Sequence, residues 1–272
     1  MRITNTIFGT WLAVTCMLPS RQKMDAPRII AMFLLLFCLG DVRAEPLVGQ
    51  FKVASTVDDI VGAESSGIFK NVVKTDLPIE WNVYVPHSYD LEKPAGLMVY
   101  VSPTNSGQIP TEWKSVMGEQ NLIWVSANNY GNKIDGNIRV VHAILAPWLV
   151  GRDYNIDTKR FYVSGLSGGG RVASIIAPEY AHIFKGAIYN CGVNFWGRET
   201  PKRIEQVRLN RFVFVTGSGD FNRRDTKKAH NSYRKSGIEN TLLMDIPNLG
   251  HANPGAKQFA EAIDFLDAGS PR

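Results

Sequence analysis

The chain has 272 residues, 44% hydrophobic, 20% charged and 10% aromatic, a composition that excludes collagen-like, disordered and disulfide-scaffold chains. Net charge is +5, but residues 1–44 hold Arg2, Arg21, Lys23, Arg28 and Arg43 against Asp25 and Asp41, and without them 30 basic and 25 acidic residues become 25 and 23. The basic pI of about 9.1 is therefore largely a property of the leader, which removes the main support for a nucleic-acid partner.

Residues 29–40, IIAMFLLLFCLG, form a twelve-residue apolar run, too short to span a bilayer comfortably as a helix. Arg28 precedes it, and Val42-Arg43-Ala44 follows it with small side chains where a signal peptidase reads. This predicts a secretory signal peptide over 1–44, cut after Ala44, and a secreted or periplasmic mature chain, 45–272, with no stable membrane span. Met24 is an alternative start, since 24–44 alone has the length and order of a bacterial-type signal. The second apolar run, 7–18, then reads as an over-extended gene start rather than an anchor. Cys38 lacks the small preceding residue of a lipoprotein signal. Cys16 and Cys38 leave with the leader, so Cys191 alone remains and no intramolecular disulfide is expected.

In the mature part, Ile79, Trp81, Val83 and Val85 alternate with Glu80, Asn82 and Tyr84, the period of a strand with one wet face. The runs at 97–101, 122–125, 161–163, 187–191, 212–215 and 242–244 are short and continuously apolar, as in strands buried on both faces of a parallel sheet. Helices are expected between them: one face carries Ile138, Val141 and Leu145, and another carries Val172, Ile175 and Ile176 and ends near Pro178. A last helix is expected with Asn253 as N-cap, Pro254 at its first position, and Phe259, Ile263 and Leu266 as its stripe. The alternation implies one α/β domain: a doubly wound, mostly parallel sheet with an antiparallel first part and helices on both faces.

Chemistry concentrates at Gly165-Leu166-Ser167-Gly168-Gly169, a G-x-S-x-G motif between a buried strand and an amphipathic helix, the setting of a nucleophile elbow. A serine on so sharp a turn is strained, and side chains two residues either way would collide with the neighbouring strand and helix. No Gly-Lys-Ser/Thr follows and the run does not fit G-x-G-x-x-G, so neither a phosphate loop nor a dinucleotide fingerprint is present. A serine needs a base, and in this fold the acid and then the histidine follow it in the chain. His87, His142 and His182 lie on the wrong elements, and His230 reads as a solvated surface imidazole in a basic helix. His251, between the last buried run and the last helix, is assigned as general base. Asp220, in the glycine-bearing loop after Val215, is the preferred acid; the rival Asp225 reads better as a helix cap. Gly168 supplies one oxyanion N–H, and Thr104 is the first residue after Pro103 that can supply another.

The stretch 157–192, with its elbow and Glu179-Tyr180, resembles secreted α/β-hydrolase esterases of the polyhydroxybutyrate depolymerase and feruloyl/acetylxylan esterase group, and the likeness extends over most of 78–268. Asp220 and His251 fall where that group carries its acid and base. Two departures stand out. Ser102-Pro103-Thr104 replaces the usual His-Gly of the oxyanion loop, and the elbow reads Ser-Gly-Gly instead of Ser-Ala-Gly.

The expectation is a secreted serine hydrolase of carboxylic esters working through an acyl-enzyme, with no cofactor and no metal, since no His/Cys/carboxylate cluster has ligand spacing along the chain. The alternatives are a peptidase or acyltransferase with the same triad, or a silent binding protein on a hydrolase scaffold. About twenty residues separate Cys191 from Phe212, too few for a cap domain, which favours bulky or polymer-borne esters. Trp113, Tyr130, Phe195, Trp196 and Phe221 could form an aromatic rim. Eleven Lys/Arg against four Asp/Glu between 198 and 235 read first as a solvated helix pair and second as an attractor of anionic polymers. Cys191 is expected to be a small core hydrophobe.

Overall fold

The computed structural model describes residues 46–197 and 200–268; the expected signal peptide, its cut after Ala44, Met24, Cys16 and Cys38 lie outside the described residues. β1 (Gly49–Ser55) pairs antiparallel with β2 (Ile79–Val85), placing Phe51 opposite Val83. Two short helices, α1 (Val57–Val61) and α2 (Ala63–Ser66), join them. β2 is also antiparallel to β4 (Leu122–Ala127). From there β3 (Ala95–Val101), β5 (Ile156–Leu166), β6 (Gly186–Asn190), β7 (Arg211–Gly217) and β8 (Thr241–Ile246) continue in parallel, giving the order 1-2-4-3-5-6-7-8. β1 was not foreseen. It is an edge strand whose Gln50 and Lys52 interrupt a short apolar alternation of Phe51 and Val53, too little for a period to register.

Successive residues of a strand face opposite sides of the sheet, and both sides are covered here. Leu97, Val99, Val101, Val163, Tyr189 and Phe214 belong to one core cluster, whereas Met98, Tyr100, Tyr162, Ile188 and Val213 belong to the other. That is why these runs are continuously apolar, each fully buried large side chain contributing about 1.5–3 kcal/mol. α3 (Trp113–Glu119) packs into the second cluster, and α4 (Gly136–Gly151) and α5 (Gly168–Glu179) into the first. α6 (Ile204–Leu209) is the single short helix between β6 and β7 among the described residues, so that connection carries no cap domain. α7 (Arg223–Lys235) joins the first cluster through Ala229 and Tyr233, and α8 (Ala256–Asp267) the second through Phe259, Ile263 and Leu266.

Several expectations need correction. Ile175 is exposed while its neighbour Ile176 is buried, because adjacent helical residues are too far apart in angle to share one narrow stripe. α8 begins at Ala256 behind Gly255; Asn253 turns its amide to Tyr100 and Asn190 instead of capping the helix. Trp113 is fully buried: it stacks on Phe259 with centroids 3.8 Å apart, and its Nε1–H donates to Pro254 O at 2.8 Å. It clamps α3 to the start of α8 and is no part of a rim. Asn222 takes the position before α7 and Asp225 lies exposed in its first turn, where a carboxylate suits the helix dipole. His230 is buried beside Thr241 Oγ1 at 3.2 Å, not solvated, and burial, reinforced by Arg234, draws its pKa down. Much of the basic stretch faces solvent, but Arg223 and Lys227 both bind Asp245, at 2.7 and 2.6 Å. Among the described residues, no helix is long and apolar enough to cross a membrane.

Candidate active site

Ser167 stands alone between β5 and α5 with φ +56° and ψ −118°, a conformation that costs a non-glycine residue about 1–3 kcal/mol. It is held there because its N–H donates to Asn190 O on β6 at 2.8 Å and its carbonyl accepts from Arg171 N–H at 3.0 Å. The motif glycines are a steric requirement. A Cβ on Gly165 would sit 2.4 Å from the Gly169 carbonyl carbon, and one on Gly169 would sit 1.8 Å from Val101 O. Behind Ser167, the unpaired N–H groups of the α5 N-terminus present a positive potential to a developing anion.

Asp220 follows β7 by three residues and His251 follows β8 by five, and the structure brings them together, with His251 Nδ1 2.8 Å from Asp220 Oδ1. The carboxylate also accepts from Thr216 Oγ1 at 2.6 Å and from the Asn222 N–H at 3.0 Å. Burial pushes Asp220 up, but bonds from Thr216, His251 and Asn222 outweigh it, and the net shift is below the ordinary carboxylate value. An ionised, fully bonded carboxylate fixes the imidazole tautomer. Asp225 is exposed, with Arg224 at 3.9 Å as its ion-pair partner.

Cys191 is buried, as expected, yet it is more than filler. It follows β6 with φ +50°, and its thiol donates to Ala252 O at 3.3 Å, with Gly250 O at 3.7 Å, bracketing His251. The sulfur, an Asp220 oxygen and a His251 nitrogen lie within 4.8 Å of one another. Three separate loops assemble this cluster, so spacing along the chain could not reveal it. Burial, and then the Asp220 charge, push the thiol up to about 12; a protonated thiol is a hydrogen-bond donor, whereas a metal requires the thiolate. The next residue, Gly192, touches the elbow, since a Cβ there would meet Ser167 O at 2.2 Å. Cys191-Gly192 thus links the Ser167 turn on one side to the His251 loop on the other.

The region expected to bind an oxyanion is partly revised. Thr104 is exposed and its N–H donates to Ser102 Oγ at 3.1 Å, so that amide is already engaged. Asn132, which no sequence motif marks, lies over Gly168: a Cβ at 168 would fall 2.2 Å from Asn132 Oδ1. This explains the Ser-Gly-Gly elbow, because an alanine at 168 would displace the Asn132 carboxamide. The Asn132 N–H is anchored to Pro103 O at 2.9 Å. Of the aromatic residues, Phe221 is 76% exposed and stacks on His251 with centroids 3.9 Å apart. Phe195 and Trp196 are half-buried against Tyr233, and Tyr130 meets His142 edge-on.

No family model matches the sequence, and no curated protein does. Solved structures match in fold. A feruloyl esterase module from Clostridium thermocellum, complexed with sinapinate, aligns at TM-score 0.58 and 12% identity over 86% of this chain and 94% of that one. An S-formylglutathione hydrolase from Staphylococcus aureus aligns at 0.54 and 13% over 80% and 96%. Dipeptidyl peptidase 4 from Porphyromonas gingivalis aligns at 0.54 and 14%, over 71% of this chain and 34% of that one. Together with the strand order, these likenesses establish the α/β-hydrolase fold.

Proposed function

We propose that the protein is an exported serine hydrolase of carboxylic esters, with Ser167, His251 and Asp220 as its triad. The observation that carries this is the 2.8 Å His251–Asp220 bond on the same sheet end as a serine held at φ +56° in an elbow. In the proposed sequence, Ser167 Oγ attacks the ester carbonyl while His251 Nε2 takes its proton. The oxyanion forms against the Gly168 N–H, with the Asn132 carboxamide or a released Thr104 N–H as second donor. His251 returns the proton to the departing alcohol, and water, activated by the same imidazole, then cleaves the acyl-enzyme. Asp220 holds Nδ1–H throughout and stabilises the imidazolium. Esterases among the similar folds support an ester as the bond cleaved, and the short β6–β7 connection suits bulky or polymer-borne esters.

The test is turnover by the chain 45–272 on p-nitrophenyl esters, feruloyl esters, polyester films and peptides. Ester hydrolysis is expected. Peptide cleavage alone would move the function to the reaction of the peptidase that shares the fold, and no turnover would make the chain a binding scaffold. Export is tested by N-terminal sequencing of the protein from a secreting host, which is expected to begin at Glu45.

A further inference from the structure

Behind the loop that follows β3, between the ends of β3 and β4 and the first turns of α4, lies a cavity of about 20 Å³ bounded by Trp81, Ser102, Ser126, Tyr130, Arg139 and His142. Two polar atoms there, Arg139 Nε and His142 Nδ1, are buried without a hydrogen-bond partner in the protein. Their residues are 5% and 3% exposed. The Arg139 guanidinium makes one bond, from Nη2 to Ser102 O at 2.9 Å, and no described carboxylate lies within ion-pair distance of it. Buried charges are ordinarily paired, and another well-buried arginine, Arg160, is paired with Asp267 at 2.7 Å.

We propose that this cavity binds one small monovalent anion of the halide class, seated against Arg139 Nε–H and His142 Nδ1–H. The orphan pair can present two donors, and the guanidinium brings a full positive charge. Arg139 sits in the first turn of α4, where the helix dipole adds positive potential. Burial holds the His142 imidazole neutral, its pKa drawn down to about 4, so one ring nitrogen carries a hydrogen and the other none; the anion selects the tautomer protonated at Nδ1. A water molecule would satisfy the hydrogen bonds and leave the charge uncompensated. The volume admits one sphere of water size or slightly more, which excludes phosphate, sulfate and carboxylates. Through Nη2 the occupied site would fix the Ser102 carbonyl, and with it the loop that packs on the elbow.

The test uses the whole protein in two arms. Crystals soaked in sodium bromide are expected to give an anomalous peak at hydrogen-bond distance from Arg139 Nε; density there that does not exchange for bromide would be water and would overturn the proposal. In solution at constant ionic strength, chloride or bromide is expected to raise Tm by about 3 °C over gluconate, which is too large to enter. Identical melting in all three salts would also overturn it. His142→Phe removes one donor without removing the charge, and the halide concentration giving half the Tm shift should rise about tenfold. An unchanged midpoint in that variant would contradict the site's location.

Discussion

Phe221 stacks on His251, with centroids 3.9 Å apart and planes 25° from parallel, while 76% of the Phe221 surface remains exposed. A large apolar ring left in solvent contributes little to the core but restrains the imidazole face that Asp220 does not touch. Aromatic pairs of this geometry contribute about 0.5–1.5 kcal/mol, so Phe221→Ala should lower kcat/KM by about 2- to 12-fold with almost no change in Tm. A large Tm loss with unchanged kinetics would assign Phe221 a structural role instead.

The choice between Asp220 and Asp225 is settled by paired substitutions. Asp220→Asn removes the charge that holds the imidazole tautomer, and an amide in such a position typically costs about 10⁴ in turnover. It also disturbs bonds from Thr216 and the Asn222 N–H, so a stability loss of about 1–3 kcal/mol is expected with it. Asp225→Asn, at an exposed site, should keep both activity and Tm. Steady-state kinetics with thermal melts on the two variants distinguishes them, and the reverse pattern would reassign the acid.

Asn132 and Gly168 are tested together. Gly168→Ala places a methyl group 2.2 Å from Asn132 Oδ1, and because that side chain is exposed it can swing away at modest cost in stability. If the carboxamide serves the oxyanion, Gly168→Ala and Asn132→Ala should each lower kcat by ~10²-fold, as loss of one oxyanion donor does, and the double variant should lose little more. Fully additive losses would show that the two residues act separately.

The fold was legible because its inner strands are buried on both faces and so appear as continuous apolar runs. The elbow was legible because its glycines are demanded by backbone contacts as close as 1.8 Å. Asp220 and His251 could be placed from chain order and loop position. What the sequence did not disclose depends on contacts between distant segments. Trp113 looked like a loop aromatic, but it is a clamp on Pro254 and Phe259, more than 140 positions away. Cys191 looked like filler because its role comes from Gly250 and Ala252. Asn132 carries no motif at all, and its contact with Gly168 comes from where its loop folds.

Asp245 makes stability depend on pH. Hydrogen bonds from Arg223 and Lys227 hold its carboxyl well below the usual value. A depressed folded pKa stabilises the native state above the unfolded carboxylate value, about 4, and that contribution fades as pH falls through the folded value. Asp245→Asn should therefore lower Tm at pH 7, and the gap to wild type should narrow as the pH is taken below about 4. The pairs are partly exposed, so high salt should also shrink the gap. A gap independent of both pH and salt would show that the loss is one of packing.

The central claim, that Ser167 is the nucleophile, is tested most directly by a fluorophosphonate probe with peptide mapping by mass spectrometry. Ser167→Ala removes one oxygen from a partly exposed turn, so the variant should fold as wild type does. The probe should attach to Ser167 of the wild type in a one-to-one adduct that abolishes ester hydrolysis, and the variant should neither label nor hydrolyse. Labelling of Ser167→Ala at the wild-type rate, or an adduct mapped to another residue, would contradict the account.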